Sequence, residues 1–100
     1  MKRTYEYLTK GTCSRKIMFT IEDGMLHSVK YEGGCNGNLQ GIGKLVEGMR
    51  AEDVLARLEG IRCGSKPTSC PDQLAHAIRQ ALEQEEEQER EQPKHGKAAQ

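Results

Sequence analysis

Ile17-Met18-Phe19-Thr20-Ile21, Glu22-Asp23-Gly24 and Met25-Leu26-His27-Ser28-Val29-Lys30-Tyr31 together decide the fold. Two runs of β-branched and aromatic residues flank an Asp-Gly pair, which predicts an antiparallel hairpin. A two-residue Asp23-Gly24 turn would set Phe19 opposite Ser28 and Ile17 opposite Lys30, mixing apolar with polar on one face. A three-residue Glu22-Asp23-Gly24 loop avoids this, with Ile17 facing Val29, Phe19 facing His27 and Ile21 facing Met25. The second register is therefore the expected one.

On the N-terminal side, Thr4-Tyr5-Glu6-Tyr7-Leu8-Thr9 predicts an outer strand over residues 4–9, before a turn containing Gly11. On the C-terminal side the periodicity changes. Gly33-Gly34-Cys35-Asn36-Gly37-Asn38 reads as a permissive turn, and Leu39, Ile42, Leu45 and Val46 follow at helical spacing, so a helix starts near Asn36 or Asn38. Gly37, Gly41 and Gly43 each cost about 1 kcal/mol against Ala inside a helix, which calls for a close neighbour on that face. Residues 51–58 predict a second, two-turn helix with Val54, Leu55 and Leu58 on one side and Gly60 as its stop.

Cys63-Gly64-Ser65-Lys66-Pro67-Thr68-Ser69-Cys70 is a loop by composition, leading into Pro71-Asp72-Gln73-Leu74. A third helix begins there, with Ser69 and Asp72 in a capping box and Pro71 in the first turn. Leu74, Ile78 and Leu82, flanked by Ala75, Ala77 and Ala81, form its apolar face, while His76 is expected to face solvent with Gln73 and Gln80. The acidic run over residues 83–92 could prolong the helix as a solvated end, and Pro93 and Gly96 stop it. Residues 93–100 are expected to be disordered.

The 100-residue chain has room for one small domain, and with 35% hydrophobic residues, 4% aromatic and 30% charged, its core must be thin. Small thin-cored domains often rely on a crosslink or a metal. The net charge is zero, which excludes a strongly basic nucleic-acid footprint as a whole-chain property. Residues 1–82 carry 12 Lys and Arg against 9 Asp and Glu, and residues 83–100 carry 3 against 6. The chain accordingly divides into a domain over 1–82 and an acidic helical extension with tail over 83–100. Neither an apolar run of membrane-spanning length nor a signal-peptide block is present, which points to a soluble cytoplasmic protein without membrane or nucleic-acid partners. Thiols stay reduced in that compartment, so four cysteines favour metal or redox chemistry over a disulfide frame.

Those cysteines are Cys13, Cys35, Cys63 and Cys70, with 21, 27 and 6 residues between them and no Cys-x-x-Cys knuckle. Context says more than spacing. Cys13 precedes the hairpin, Cys35 follows it in a Gly-Gly-Cys turn, Cys63 follows the helix-stopping Gly60, and Cys70 opens the third helix. Cys13 and Cys35 can meet at the open end of the hairpin, with the loops carrying Cys63 and Cys70 converging on them. Four thiolates would suit tetrahedral zinc, or an iron-sulfur cluster, with zinc ahead. Cys70 has a further reason to ionise, because the free amides and dipole of a helix N-terminus favour a thiolate. The alternatives are small buried hydrophobes, or a redox pair of Cys63 and Cys70. Gly43-Lys44 lacks the Ser/Thr of a phosphate loop, Val46 interrupts a dinucleotide fingerprint, and His27 fits a strand position opposite Phe19 better than a ligand role. No catalytic triad or carboxylate pair emerges.

Thr68-Ser69-Cys70-Pro71-Asp72, with Gly33-Gly34-Cys35-Asn36-Gly37-Asn38-Leu39 and Gly60-Ile61-Arg62-Cys63-Gly64, closely resembles the TSCPD domain family over about residues 4–82. That domain also occurs at the C-terminus of adenosylcobalamin-dependent ribonucleotide reductases. The resemblance therefore implies a link to deoxyribonucleotide synthesis and DNA replication, and a ribonucleotide reductase or cluster-assembly machinery as partner. A chain this short is too small to hold cobalamin and nucleotide and act as the reductase alone. A more distant resemblance is to iron-sulfur scaffolds of the NifU N-terminal type, with Cys13, Cys35 and Cys70 at matching positions. Arg15 stands where the scaffolds carry an acidic ligand, Ser69 replaces a His, and Cys63 is an addition, which together imply a closed four-thiolate site. The expected fold is α+β, a three-stranded antiparallel sheet from the N-terminal half covered by about three helices from the C-terminal half.

Overall fold

The computed structural model describes residues 2–12, 14–34 and 36–91. Three strands, β1 (Lys2–Leu8), β2 (Ser14–Glu22) and β3 (Met25–Gly33), precede three helices, α1 (Asn36–Val46), α2 (Ala51–Leu58) and α3 (Cys70–Glu91). The sheet is antiparallel in the order β1-β2-β3, so the fold is α+β. The expected disorder of residues 93–100 falls outside the described residues.

Alternation builds the sheet's inner face. Ile17, Phe19 and Ile21 are almost fully buried, and they pair across β1 with Tyr7, Tyr5 and Arg3. Leu74, Ala77, Ile78 and Ala81 of α3 pack on that face, together with Val54 of α2 and Val46 of α1. Phe19 is the largest fully buried side chain and stacks on Tyr5 with ring centroids 5.5 Å apart.

The hairpin register differs from the expected one. Glu22 pairs with Met25 and Ile21 with Leu26, so the turn has two residues. Asp23 and Gly24 both have positive φ, 53° and 83°, as a type I′ turn requires. The pairs Ile17–Val29, Phe19–His27 and Ile21–Met25 do not form. Instead the register shifts between Thr20↔His27 and Met18↔Lys30, leaving Ser28 and Val29 together opposite Phe19. Ser28 takes φ 57°, the mark of a bulge. The extra residue changes the phase of β3, so Leu26 and Val29, three positions apart, are both buried while Ser28 is exposed. The bulge thereby removes the clash of apolar with polar that a two-residue turn would otherwise impose.

Glu47 holds the bulge from outside. Its carboxylate accepts the Ser28 N–H at 2.8 Å and lies 2.8 Å from His27 Nδ1. The Ser28 amide, followed by the His27 ring, keeps this carboxyl below its usual pKa. His27 is thus a strand residue with a structural partner, although it stands opposite Thr20 and not Phe19.

Helix α1 covers the outer edge of β3. A Cβ on Gly43 would sit 2.8 Å from the Val29 carbonyl oxygen, so this glycine lets helix and strand touch. Gly37 and Gly41 meet nothing within 4 Å, and close approach does not account for them. The two kinds of position respond oppositely to Ala. Gly43→Ala should lose about 1–2 kcal/mol, because overpacking against backbone outweighs the gain in helix propensity. Gly41→Ala should gain up to about 1 kcal/mol. Urea midpoints at constant m-value measure both.

Helix α3 starts as expected, with the Asp72 N–H donating to Ser69 Oγ at 3.1 Å. Its continuation past Leu82 is tied to the sheet, since the Tyr5 hydroxyl donates to Glu85 at 2.7 Å. Arg79 pairs with Glu59 across to α2. No helix among the described residues is long and apolar enough to cross a membrane.

Candidate functional site

The open end of the hairpin, opposite the Asp23-Gly24 turn, is closed by the pair Ser14↔Gly33. Ser14 follows Cys13, and Gly33 lies two positions before Cys35. Cys13 and Cys35 themselves are outside the described residues. The first residue of α3 arrives at this end, with Cys70 Sγ 3.3 Å from Ser14 Oγ. The Tyr31 hydroxyl donates to the Cys70 carbonyl oxygen at 3.0 Å and ties the helix start to β3. Burial, with a Coulombic contribution from Cys70 adding to it, raises the Tyr31 phenol above its ordinary pKa.

Two loops lean together beside that point. In residues 9–12, the Thr12 hydroxyl is 3.1 Å from Ser14 Oγ of β2, and a Cβ on Gly11 would stand 3.2 Å from the Thr68 methyl. In residues 60–69, the Cys63 N–H donates to the Thr68 carbonyl at 3.2 Å, and the Lys66 N–H donates back to the Cys63 carbonyl at 3.0 Å. The backbone of Cys63 is thus folded onto a residue two positions before Cys70. Cys63 is exposed and Cys70 half-buried. Among the described residues, no group of three or more His, Cys, Asp or Glu side chains could hold a metal ion.

Asp72 fastens the second loop. Its carboxylate accepts the Gly60 N–H at 2.6 Å and the Thr68 hydroxyl, and lies 3.1 Å from His76 Nε2. Burial would raise its pKa, but the hydrogen bonds from Thr68 and Gly60 and the His76 ring outweigh this and hold the carboxyl below its usual range. The Ser69 hydroxyl donates to the Ile61 carbonyl at 2.6 Å.

Gln73 does not face solvent as expected. It is buried, its Nε2 donating to the Thr68 hydroxyl at 3.0 Å and its Oε1 accepting the Lys10 N–H at 3.0 Å. His76 is exposed, as the helical spacing predicts. Ser14, Tyr31, Asp72 and Gln73 are the residues that sequence reasoning did not attach to the site. Only Asp72 carried a sequence signal, as the acidic member of the capping box.

Residues 1–82 match the family model of the TSCPD domain. No curated protein and no solved structure matches the chain. The likeness to NifU-type scaffolds therefore has no support beyond the cysteine contexts.

Proposed function

The chain belongs to the TSCPD domain family, and we propose that it is a small metal-binding accessory domain whose ligands are the thiolates of Cys13, Cys35, Cys63 and Cys70. The observation that carries this reading is the 3.3 Å approach of Cys70 Sγ to Ser14 Oγ at the hairpin end where Ser14 pairs with Gly33. Chain neighbours of three of the four cysteines meet there, and the hydrogen bond from Cys63 to Thr68 supports the fourth. The donor set suits zinc, which would crosslink a thin-cored domain. An iron-sulfur cluster is the second occupant of the same set. In the site, the N-terminal amides of α3 favour negative charge on Cys70, and the Ser14 hydroxyl can donate to that sulfur.

Elemental analysis and an absorption spectrum of the anaerobically purified full chain test the proposal, since a cluster is coloured and zinc is not. About one zinc per chain is expected, with Cys13→Ser losing the metal and lowering the melting temperature. Unchanged metal content and melting in Cys13→Ser would overturn the four-thiolate reading. A second reading, a redox dithiol of Cys63 and Cys70, is favoured by the exposure of Cys63 and by the folding of its backbone onto Thr68. It requires disulfide cycling that only Cys63→Ser and Cys70→Ser abolish. In either role, the family resemblance makes a ribonucleotide reductase the proposed partner.

A further inference from the structure

The edge of β3 is covered by α1, but no element among the described residues pairs with the other edge of the sheet. Strand β1 is the terminal strand, and its phase can be read from its pairing with β2. The Thr9 N–H donates to the Arg15 carbonyl at 3.0 Å, and the register from Lys2↔Glu22 to Leu8↔Lys16 runs without a shift. Hydrogen-bonded pairs alternate along an antiparallel ladder, so Tyr7, Tyr5 and Arg3 bond inward to β2. Lys2, Thr4, Glu6 and Leu8 turn their N–H and C=O groups outward, where no backbone partner exists among the described residues. All four are exposed, and Leu8 retains 71% of its surface.

We propose that this edge pairs with the same edge of a second copy of the chain, antiparallel about a two-fold axis at Tyr5, giving a continuous six-stranded sheet. In this register Lys2 stands opposite the copy's Leu8, and Thr4 opposite its Glu6. Outward-facing residues therefore meet outward-facing residues, and all seven residues of β1 are used. Four pairs form with two hydrogen bonds each, about eight in all. The side chains complement one another. The aliphatic stem of Lys2 covers the exposed Leu8, and its ammonium reaches the diagonal Glu6, whose ion pair among the described residues of its own protomer is a long one, to Lys16 at 3.9 Å. Sliding the copy by two residues in one direction would place Glu6 opposite Glu6, and in the other would leave Leu8 uncovered. The interface is isologous and closes at two copies.

Sedimentation velocity of the full chain over the micromolar range, with melting curves on the same samples, tests this. The unmodified chain is expected to be a dimer at the upper concentrations. Thr4→Pro should be monomeric throughout, with dilute-solution melting little changed, because its lost N–H points away from β2. Lys2→Glu and Glu6→Lys should each weaken dimerisation by roughly tenfold, and the double exchange should restore it. A chain that stays monomeric, a dimer indifferent to Thr4→Pro, or a double exchange no better than the singles would overturn the proposal. The inference is independent of any metal at the open end of the hairpin.

Discussion

In dilute solution, where the chain is monomeric, Phe19→Ala lowers the unfolding free energy by about 3–5 kcal/mol, whereas Leu8→Ala stays within about 0.5 kcal/mol of the unmodified chain. The difference lies in burial, since Phe19 is 1% exposed and Leu8 is 71% exposed. Phe19 is the one phenylalanine of the chain, stacked on Tyr5 and enclosed by helix α3. Its neighbours Ile17, Ile21, Leu74 and Ile78 are smaller and already in contact, so the space left by the ring could close only in part. Domains of this size hold about 5–15 kcal/mol in total, which makes the loss a large share of the whole. Chemical denaturation followed by far-UV circular dichroism measures it, and a loss below about 1 kcal/mol would contradict the packing described above.

Replacing Asp72 should cost about 2–4 kcal/mol as Ala, with a smaller loss as Asn. The carboxylate is buried and receives the Gly60 amide, the Thr68 hydroxyl and the His76 ring. Removing it strands the buried Thr68 hydroxyl, takes the partner from the Gly60 amide and frees the 60–69 loop. The charge gives the change a pH signature. Because the folded carboxyl has a lowered pKa, the folded chain binds fewer protons than the unfolded one near the ordinary aspartate range. The stability contributed is therefore complete above that range, beyond about pH 5, and is lost as pH falls through about 4 toward the folded value. Asp72→Asn should flatten this acid limb while keeping most of the shape of the side chain. A limb as steep in the Asn variant as in the parent would mean that other carboxylates are responsible.

The elements themselves were legible because each carries its own local signal. Alternating Ile17, Phe19 and Ile21 around an Asp-Gly pair can form little else, and Gly60 and Ser69 mark the end of one helix and the start of another. The hairpin register was not legible. Ser28, at positive φ, has its amide taken by Glu47, nineteen positions away, and no local pattern announces that partnership. The same holds for Gln73, whose helical position suggests solvent but whose partners, Thr68 and Lys10, come from two loops. Of the candidate site, the arrival of Cys70 at the hairpin's open end follows from its position as the first residue of a helix packed along the sheet. The Tyr31 contact that fixes it there could not be read from residue types, because a strand tyrosine at that position has an equally ordinary place in the core.

The hairpin tip has a role beyond reversing the chain. The Gly24 carbonyl accepts the Ala51 N–H at 2.8 Å, Leu26 exchanges hydrogen bonds with Met49 and Gly48 at 2.8 and 2.7 Å, and Met25 bridges to Arg50. The start of α2 is thus clamped to the turn. Insertions, which surface hairpins ordinarily absorb, would here pry the helical layer from the sheet.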